Sequence, residues 1–220
     1  MKILALEFSS SQRSVSVLSD VTAGATNAAE VIETGGKAAR PLAMIAEALR
    51  QARLEREQID CLALGIGPGS YSGIRSAIAL AQGWQLASGS VRLLGISCVD
   101  CLVQQALEEG RKGRLYIAID AQRQEFYLAA YELQAGKAAL VNPLRLASAA
   151  EIIGLQKASE KIIGPDLSRW FAGVDTIFPR AATLAKLALT RKDFVQGERL
   201  EPIYLREISF VKATAPSIVS

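Results

Sequence analysis

The apolar and polar residues of this chain change period along its length, alternating strands with helices. Lys2 to Phe8 is almost continuously apolar, as in a strand buried on both faces, and Ser14 to Leu18 alternates as a paired second strand would. A weaker third strand fits Ala28 to Thr34, and Thr34-Gly35-Gly36-Lys37 breaks the pattern. Pro41 stands where a first helical residue belongs, and Leu42, Ile45, Leu49 and Ala52 follow at helical spacing. Cys61 to Ile66 reads as another buried strand, Ile74 to Ala87 as a helix, Val91 to Gly95 as a strand and Cys98 to Glu108 as a helix.

The second half opens on the plan of the first. Arg114 to Asp120 is an apolar strand ending in an acid, and a turn with Gln122-Arg123 leads into an alternating strand, Glu125 to Leu133. The opening has the same parts: strand, Glu7, a turn with Gln12-Arg13, strand. Two short stretches match by chance often enough that duplication and coincidence are equally open. Helices are expected near Ser148–Gln156, Leu167–Phe171 and Ala181–Lys192, with short strands around Ile162 and Thr176, and the pattern fades after Pro202-Ile203-Tyr204-Leu205-Arg206. This order implies an α/β fold with mixed sheets in two related lobes, residues 1–110 and a smaller, eroded 111–220.

Composition narrows the chemistry. No run approaches the ~20 apolar residues of a membrane helix, and Glu7 interrupts the first apolar run too early for a secretion signal. Three cysteines, two of them three apart, make a poor disulfide framework, so a soluble cytoplasmic protein with reduced thiols is expected. A net charge of +3 without a dense basic run argues against this chain gripping a nucleic-acid backbone by itself. The 220 residues include no histidine, which removes Ser-His-Asp and Cys-His nucleophiles and every imidazole-based metal site. No metal or cofactor is expected.

Three features remain as candidate chemistry. Gly67-Pro68-Gly69-Ser70-Tyr71-Ser72-Gly73 lies between a buried strand and a helix, where open amides, the helix dipole and Arg75 suit an anion. The same residues also make a plain strand-to-helix turn capped by Ser70 or Ser72, which local pattern alone favours. Glu7-Phe8-Ser9-Ser10 ends the first strand where actin-like kinases hold a magnesium–phosphate group, and Asp120-Ala121-Gln122-Arg123 is its counterpart, so Glu7 and Asp120 could pair across a cleft. A solvated hairpin turn fits equally well. Cys98 and Cys101 share a helix face without further ligands, which suits two small buried side chains better than a metal.

The glycine motif, Leu64-Gly65-Ile66-Gly67-Pro68-Gly69-Ser70-Tyr71-Ser72-Gly73-Ile74-Arg75, resembles the Gly-Pro-Gly-Ser-Phe-Thr-Gly-Leu-Arg signature of the TsaB family, also called YeaZ. Ile3 to Ser10, Gly95-Ile96-Ser97, Ile119 to Tyr127 and Pro202 to Arg206 resemble further pieces of that family in its order. The resemblance implies an actin-like fold of two ribonuclease-H-like lobes and no strong nucleotide site. It also implies a non-catalytic subunit that pairs with the metal- and nucleotide-binding paralogue TsaD. The ATPase TsaE docks on that pair, transfer RNA is met only through the complex, and homodimerisation of the free chain is left open. Two departures stand out: Glu7-Phe8 replaces Asp-Thr, and Ala39-Arg40-Pro41 occupies a place where many relatives and the paralogue carry histidine. The expected partner surface comprises Leu42, Met44, Ile45 and Leu49 on one helix and Ala77, Leu80, Ala81 and Trp84 on the next. A rival reading is an actin-like kinase or ATPase using Glu7, Asp120 and the glycine loop, although Ile163-Gly164-Pro165-Asp166 offers only one glycine for an adenine motif. A peptidase would have to run on Ser70 or Ser72 without histidine or a nearby lysine.

Overall fold

The computed structural model describes residues 1–19, 27–34 and 40–205. Gly35, Gly36, Lys37, Ala39 and Arg206, named above, lie outside the described residues.

The first sheet is built from β1 (Lys2–Glu7), β2 (Gln12–Ser19), β3 (Asn27–Thr34), β4 (Cys61–Gly65) and β5 (Arg92–Ile96), in the order β3-β2-β1-β4-β5. β1 to β3 are antiparallel, and β4 and β5 join in parallel after crossover helices. The second sheet uses β6 (Gly113–Asp120), β7 (Glu125–Gln134), β8 (Lys137–Ser148), β9 (Lys161–Gly164) and β10 (Asp175–Thr176), in the order β10-β9-β6-β7-β8. Three antiparallel strands followed by two parallel ones recur, so the repeated opening is a repeated topology. These are the two actin-like α/β lobes with mixed sheets that the resemblance implied. The second is the reduced one. A three-residue 3-10 turn, Leu167–Arg169, stands where the first lobe has the long helix α2 (Tyr71–Ala87).

Helix starts follow the capping chemistry of the sequence. Pro41 is the first residue of α1 (Pro41–Ala52), and the side chains of Ser70, Ser97 and Ser148 accept amide hydrogen bonds at the starts of α2, α3 (Cys98–Glu108) and α4 (Ala149–Lys157). α1 and α2 cover one face of the first sheet. Met44, Ile45, Ala48, Ile74, Ala77 and Ala81 pack there against Leu4, Leu6, Phe8, Leu62 and Leu64. Each large aliphatic group so buried stabilises the fold by ~1.5–3 kcal/mol. α3 is shared between the lobes: Cys101 packs on the first sheet, and Val99, Leu102, Val103 and Ala106 pack on the second.

The strands of the first sheet end at Ile96 and those of the second begin at Gly113, but the helices do not divide in the same way. α5 (Ala181–Thr190) returns to the first sheet, where Ala181, Leu184, Ala185 and Ala188 pack on Ile3, Ala5 and Ala63. Its start is capped from that lobe, Ala181 N donating to Ser14 Oγ at 2.8 Å and Ala182 N to Glu30 Oε1 at 3.0 Å. Arg180 completes an ion pair with Glu30. The chain stays on the first lobe afterwards: Val195 bridges Leu93, Leu200 enters its core, and Ile203 N donates to Ile66 O at 2.8 Å. An apolar helix face reads alike whichever sheet receives it.

Candidate functional site

Glu7 closes β1 and is fully buried. Its Oε1 accepts from Ser9 N at 2.7 Å, and Cys98 Sγ donates to its Oε2 at 3.2 Å. Burial raises the carboxyl pKa above its ordinary value, and the hydrogen bonds from Ser9 and Cys98 only temper that. The Cys98 thiol is pushed well up in turn by burial and by Glu7, and Cys101 by burial, so both are inert protonated thiols. Space is as tight as the electrostatics are dry: a Cβ on Gly65 of β4 would stand 2.0 Å from Glu7 Oε2.

The glycine loop lies directly on this acidic turn. Ser70 N donates to Ser9 O at 2.6 Å, and Gly73 N donates to Ser70 Oγ at 3.3 Å. A Cβ on Gly69, whose φ is +149°, would be 2.2 Å from Ser9 O, and one on Gly73 would be 1.9 Å from Phe8 O. These glycines are therefore required by close backbone approach. Gly67 O accepts from Cys98 N at 2.8 Å, tying the loop to α3. Ser10 Oγ donates to Gln12 O at 2.7 Å, while Ser72 is exposed. Arg75 lies over the ring of Tyr71, 4.6 Å from its centroid. Of the loop amides named here, Ser70 N clasps the first hairpin and Gly73 N is taken by the helix cap.

Asp120 shares with Glu7 an amide donor two residues on but not its burial. It is half-buried at the end of β6, and its Oδ1 accepts from Gln122 N at 2.7 Å. Its turn carries three successive left-handed residues, Gln122, Arg123 and Gln124. The carboxylate that crosses from the second lobe to the first hairpin is Asp166. Ser11 Oγ donates to its Oδ1 at 2.6 Å and Ser11 N to its Oδ2 at 3.4 Å, with Arg169 paired to it at 3.1 Å. Sequence reasoning passed over Asp166. The signal was there, in a polar residue held left-handed just after Gly164-Pro165. Among the described residues no group of three or more Cys, Asp or Glu side chains is arranged to hold a metal.

The expected partner surface is distributed differently from its sequence reading. Met44, Ile45, Leu49, Ala77 and Ala81 are buried in this chain's own core, and Leu80 and Trp84 pack partly against it. Of the eight residues only Leu42 is widely exposed, at 69%. Helical periodicity shows that a stripe exists, but small residues suit the chain's own sheet as well as a neighbour's helix. The outward face runs through Leu42, Ala43 and Ala46 on α1, and through Ala79, Gly83 and Leu86 on α2, with Leu86 89% exposed. Arg75 is the only charged residue in the seventeen of α2.

The family model described as "TsaD: tRNA N6-adenosine threonylcarbamoyltransferase" matches residues 38–195. The chain belongs to this family. Among curated relatives, the tRNA threonylcarbamoyladenosine biosynthesis protein TsaB of Escherichia coli is 32% identical over 132 residues, covering 60% of this chain and 55% of that protein. The Haemophilus influenzae TsaB is 28% identical over 194 residues, covering 79% of this chain and 81% of its own length. The match thus spans about half of the first relative and most of the second. The solved structure of YeaZ from Pseudomonas aeruginosa superposes with a TM-score of 0.74 at 28% identity, over 93% of this chain and 99% of that one. The TsaB (YeaZ) likeness anticipated from the glycine motif therefore holds in sequence and in fold.

Proposed function

We propose that this chain is a non-catalytic partner subunit in tRNA threonylcarbamoyladenosine synthesis, which binds a TsaD-type transferase through the outward face of α1 and α2 and activates it. The observation that carries the reading is that face. Leu42, Ala43, Ala46, Ala79, Gly83 and Leu86 offer solvent small and apolar side chains, with the exposed Glu47–Arg50 ion pair one turn on along α1, which suits close packing of another helix pair. The names of the relatives supply the process, and the missing histidines and the occupied turn at Glu7 favour an accessory role over a catalytic one. A TsaE-type ATPase docking on the pair, homodimerisation through the same face when the partner is absent, contact with transfer RNA only within the complex, and a cytoplasmic location belong to the same reading.

Gel filtration of the chain mixed with the TsaD-type protein of its own organism tests it. Wild type should co-elute with the transferase, and Leu86→Glu should weaken the complex more than about tenfold while leaving the chain folded. Full binding by both Leu86→Glu and Leu42→Glu would remove this surface from the account.

A further inference from the structure

At its first turn, the exposed stripe of α2 changes character from apolar to aromatic and cationic. Tyr71, 57% exposed, stacks on Tyr204 with ring centroids 5.5 Å apart and planes 26° from parallel. Tyr204 is itself 37% exposed. The Arg75 guanidinium lies over the Tyr71 ring, and its Nη1 donates to the Tyr71 hydroxyl. Among the described residues Arg75 meets no carboxylate, as is also true of Arg13 and Arg92, which lie over the rings of Phe8 and Phe194. The stacked tyrosine pair stabilises the chain that carries it only modestly, and the Arg75 guanidinium, with one nitrogen donating to Tyr71, keeps further donors for an anion. The position is specific too. Tyr204 follows Ile203, whose amide anchors to Ile66 O beside the glycine loop. The cluster therefore sits at the start of α2 beside the glycine loop, at the hydroxyl-rich end of the stripe with Ser72 and Ser76, away from Leu86.

We propose that Tyr71, Tyr204 and Arg75 form a stacking platform for an unpaired base of a single-stranded RNA loop, with Arg75 holding the adjacent phosphate. The outer side of Tyr204, backed by Tyr71 with Arg75 over it, is what such a loop needs, because its unstacked bases seek π-surfaces and each carries one phosphate charge. A protein partner that covers Leu86 and Ala79 has less use for this end: hot-spot tyrosines and arginines lie in the desolvated centre of an interface, not at its wet margin. The platform rests on the proposed role in tRNA modification. It gives RNA one stack and one cation rather than a basic groove, so the chain alone should bind RNA too weakly to detect and the platform should act within the complex.

Fluorescence anisotropy of a labelled RNA stem-loop with a single-stranded loop tests the proposal, using the full chain alone and in complex with the transferase. Tyr71→Ala and Tyr204→Ala should each weaken RNA binding about tenfold, while Tyr71→Phe and Tyr204→Phe, which keep the ring, should stay within about twofold of wild type. Arg75→Ala should lower the magnitude of the slope of log affinity against log salt by about one. All these variants should still co-elute with the transferase, which separates failure of the platform from failure of the partner reading. Undiminished RNA binding by both alanine variants would overturn the platform, as would no RNA binding by wild type in either form. Loss of co-elution by Tyr71→Ala and Arg75→Ala would also overturn it, assigning these residues to the protein interface.

Discussion

The two strand–acid–turn hairpins have the same plan in sequence and opposite fates in the folded chain. Glu7 is sealed between Gly65, Ser9 and Cys98, with the glycine loop pressed onto the backbone beside it. Asp120 keeps partial contact with solvent and engages its own turn through Gln122. The difference comes from what lies above each hairpin. In the first lobe a glycine-led helix closes over the strand end, and in the second a 3-10 turn replaces that helix. A carboxylate in an actin-like cleft serves a metal or a phosphate only if both can approach it. At Glu7 the protein's own atoms take that space.

The strongest way to break this contrast is to add one methyl group. Gly65→Ala puts a carbon where Glu7 Oε2 lies, so it should destabilise the chain by ~3 kcal/mol, seen as a lower midpoint in urea. Combining it with Glu7→Ala removes the clash, and the pair should cost less than the sum of the single changes by at least ~1 kcal/mol. Additive costs would mean that the two residues do not share the space.

A milder probe is pH. Because burial raises the Glu7 pKa from about 4.5, the folded chain keeps a proton that the unfolded chain has released once the pH passes that value. Stability attributable to this group therefore falls as pH rises from about 4.5 to the folded pKa, by up to ~1.4 kcal/mol per unit, and is level above it. Glu7→Gln should remove that slope, and denaturant melts at stepped pH read it directly. An unchanged slope would show that Glu7 is not the buried acid responsible. At the small end, Asp120→Asn keeps an acceptor for Gln122 N and should change stability by less than ~0.5 kcal/mol in the same denaturant melts.

Much of this architecture was legible because local chemistry and global fold agree. Pro41, Ser70, Ser97 and Ser148 announce helix starts, and Lys2–Glu7 and Cys61–Gly65 are buried on both faces and read so. β8 was missed because Asn142-Pro143 looks like a loop. Its edge position and the irregular pairing between Leu128 and Ala130 admit the proline there. The return of α5 was hidden because its caps, Ser14 and Glu30, are more than 150 residues away. The glycine loop was visible as a motif, yet its role as a clasp on Phe8 and Ser9 depends on a crossing of two backbones that no spacing reveals. The same holds for the two helices: periodicity identified the stripes, and only packing separated Ala77 and Ala81, inside, from Ala79 and Gly83, outside.

The most direct measurement is a reconstituted threonylcarbamoyl transfer onto transfer RNA, run with this chain alone, with the TsaD-type protein alone, and with both plus the TsaE-type ATPase. Product should form efficiently only when both paralogues are present, and Leu86→Glu should drop it toward the level of the transferase without its partner. Product made by this chain alone, or full activity with Leu86→Glu, would contradict the account.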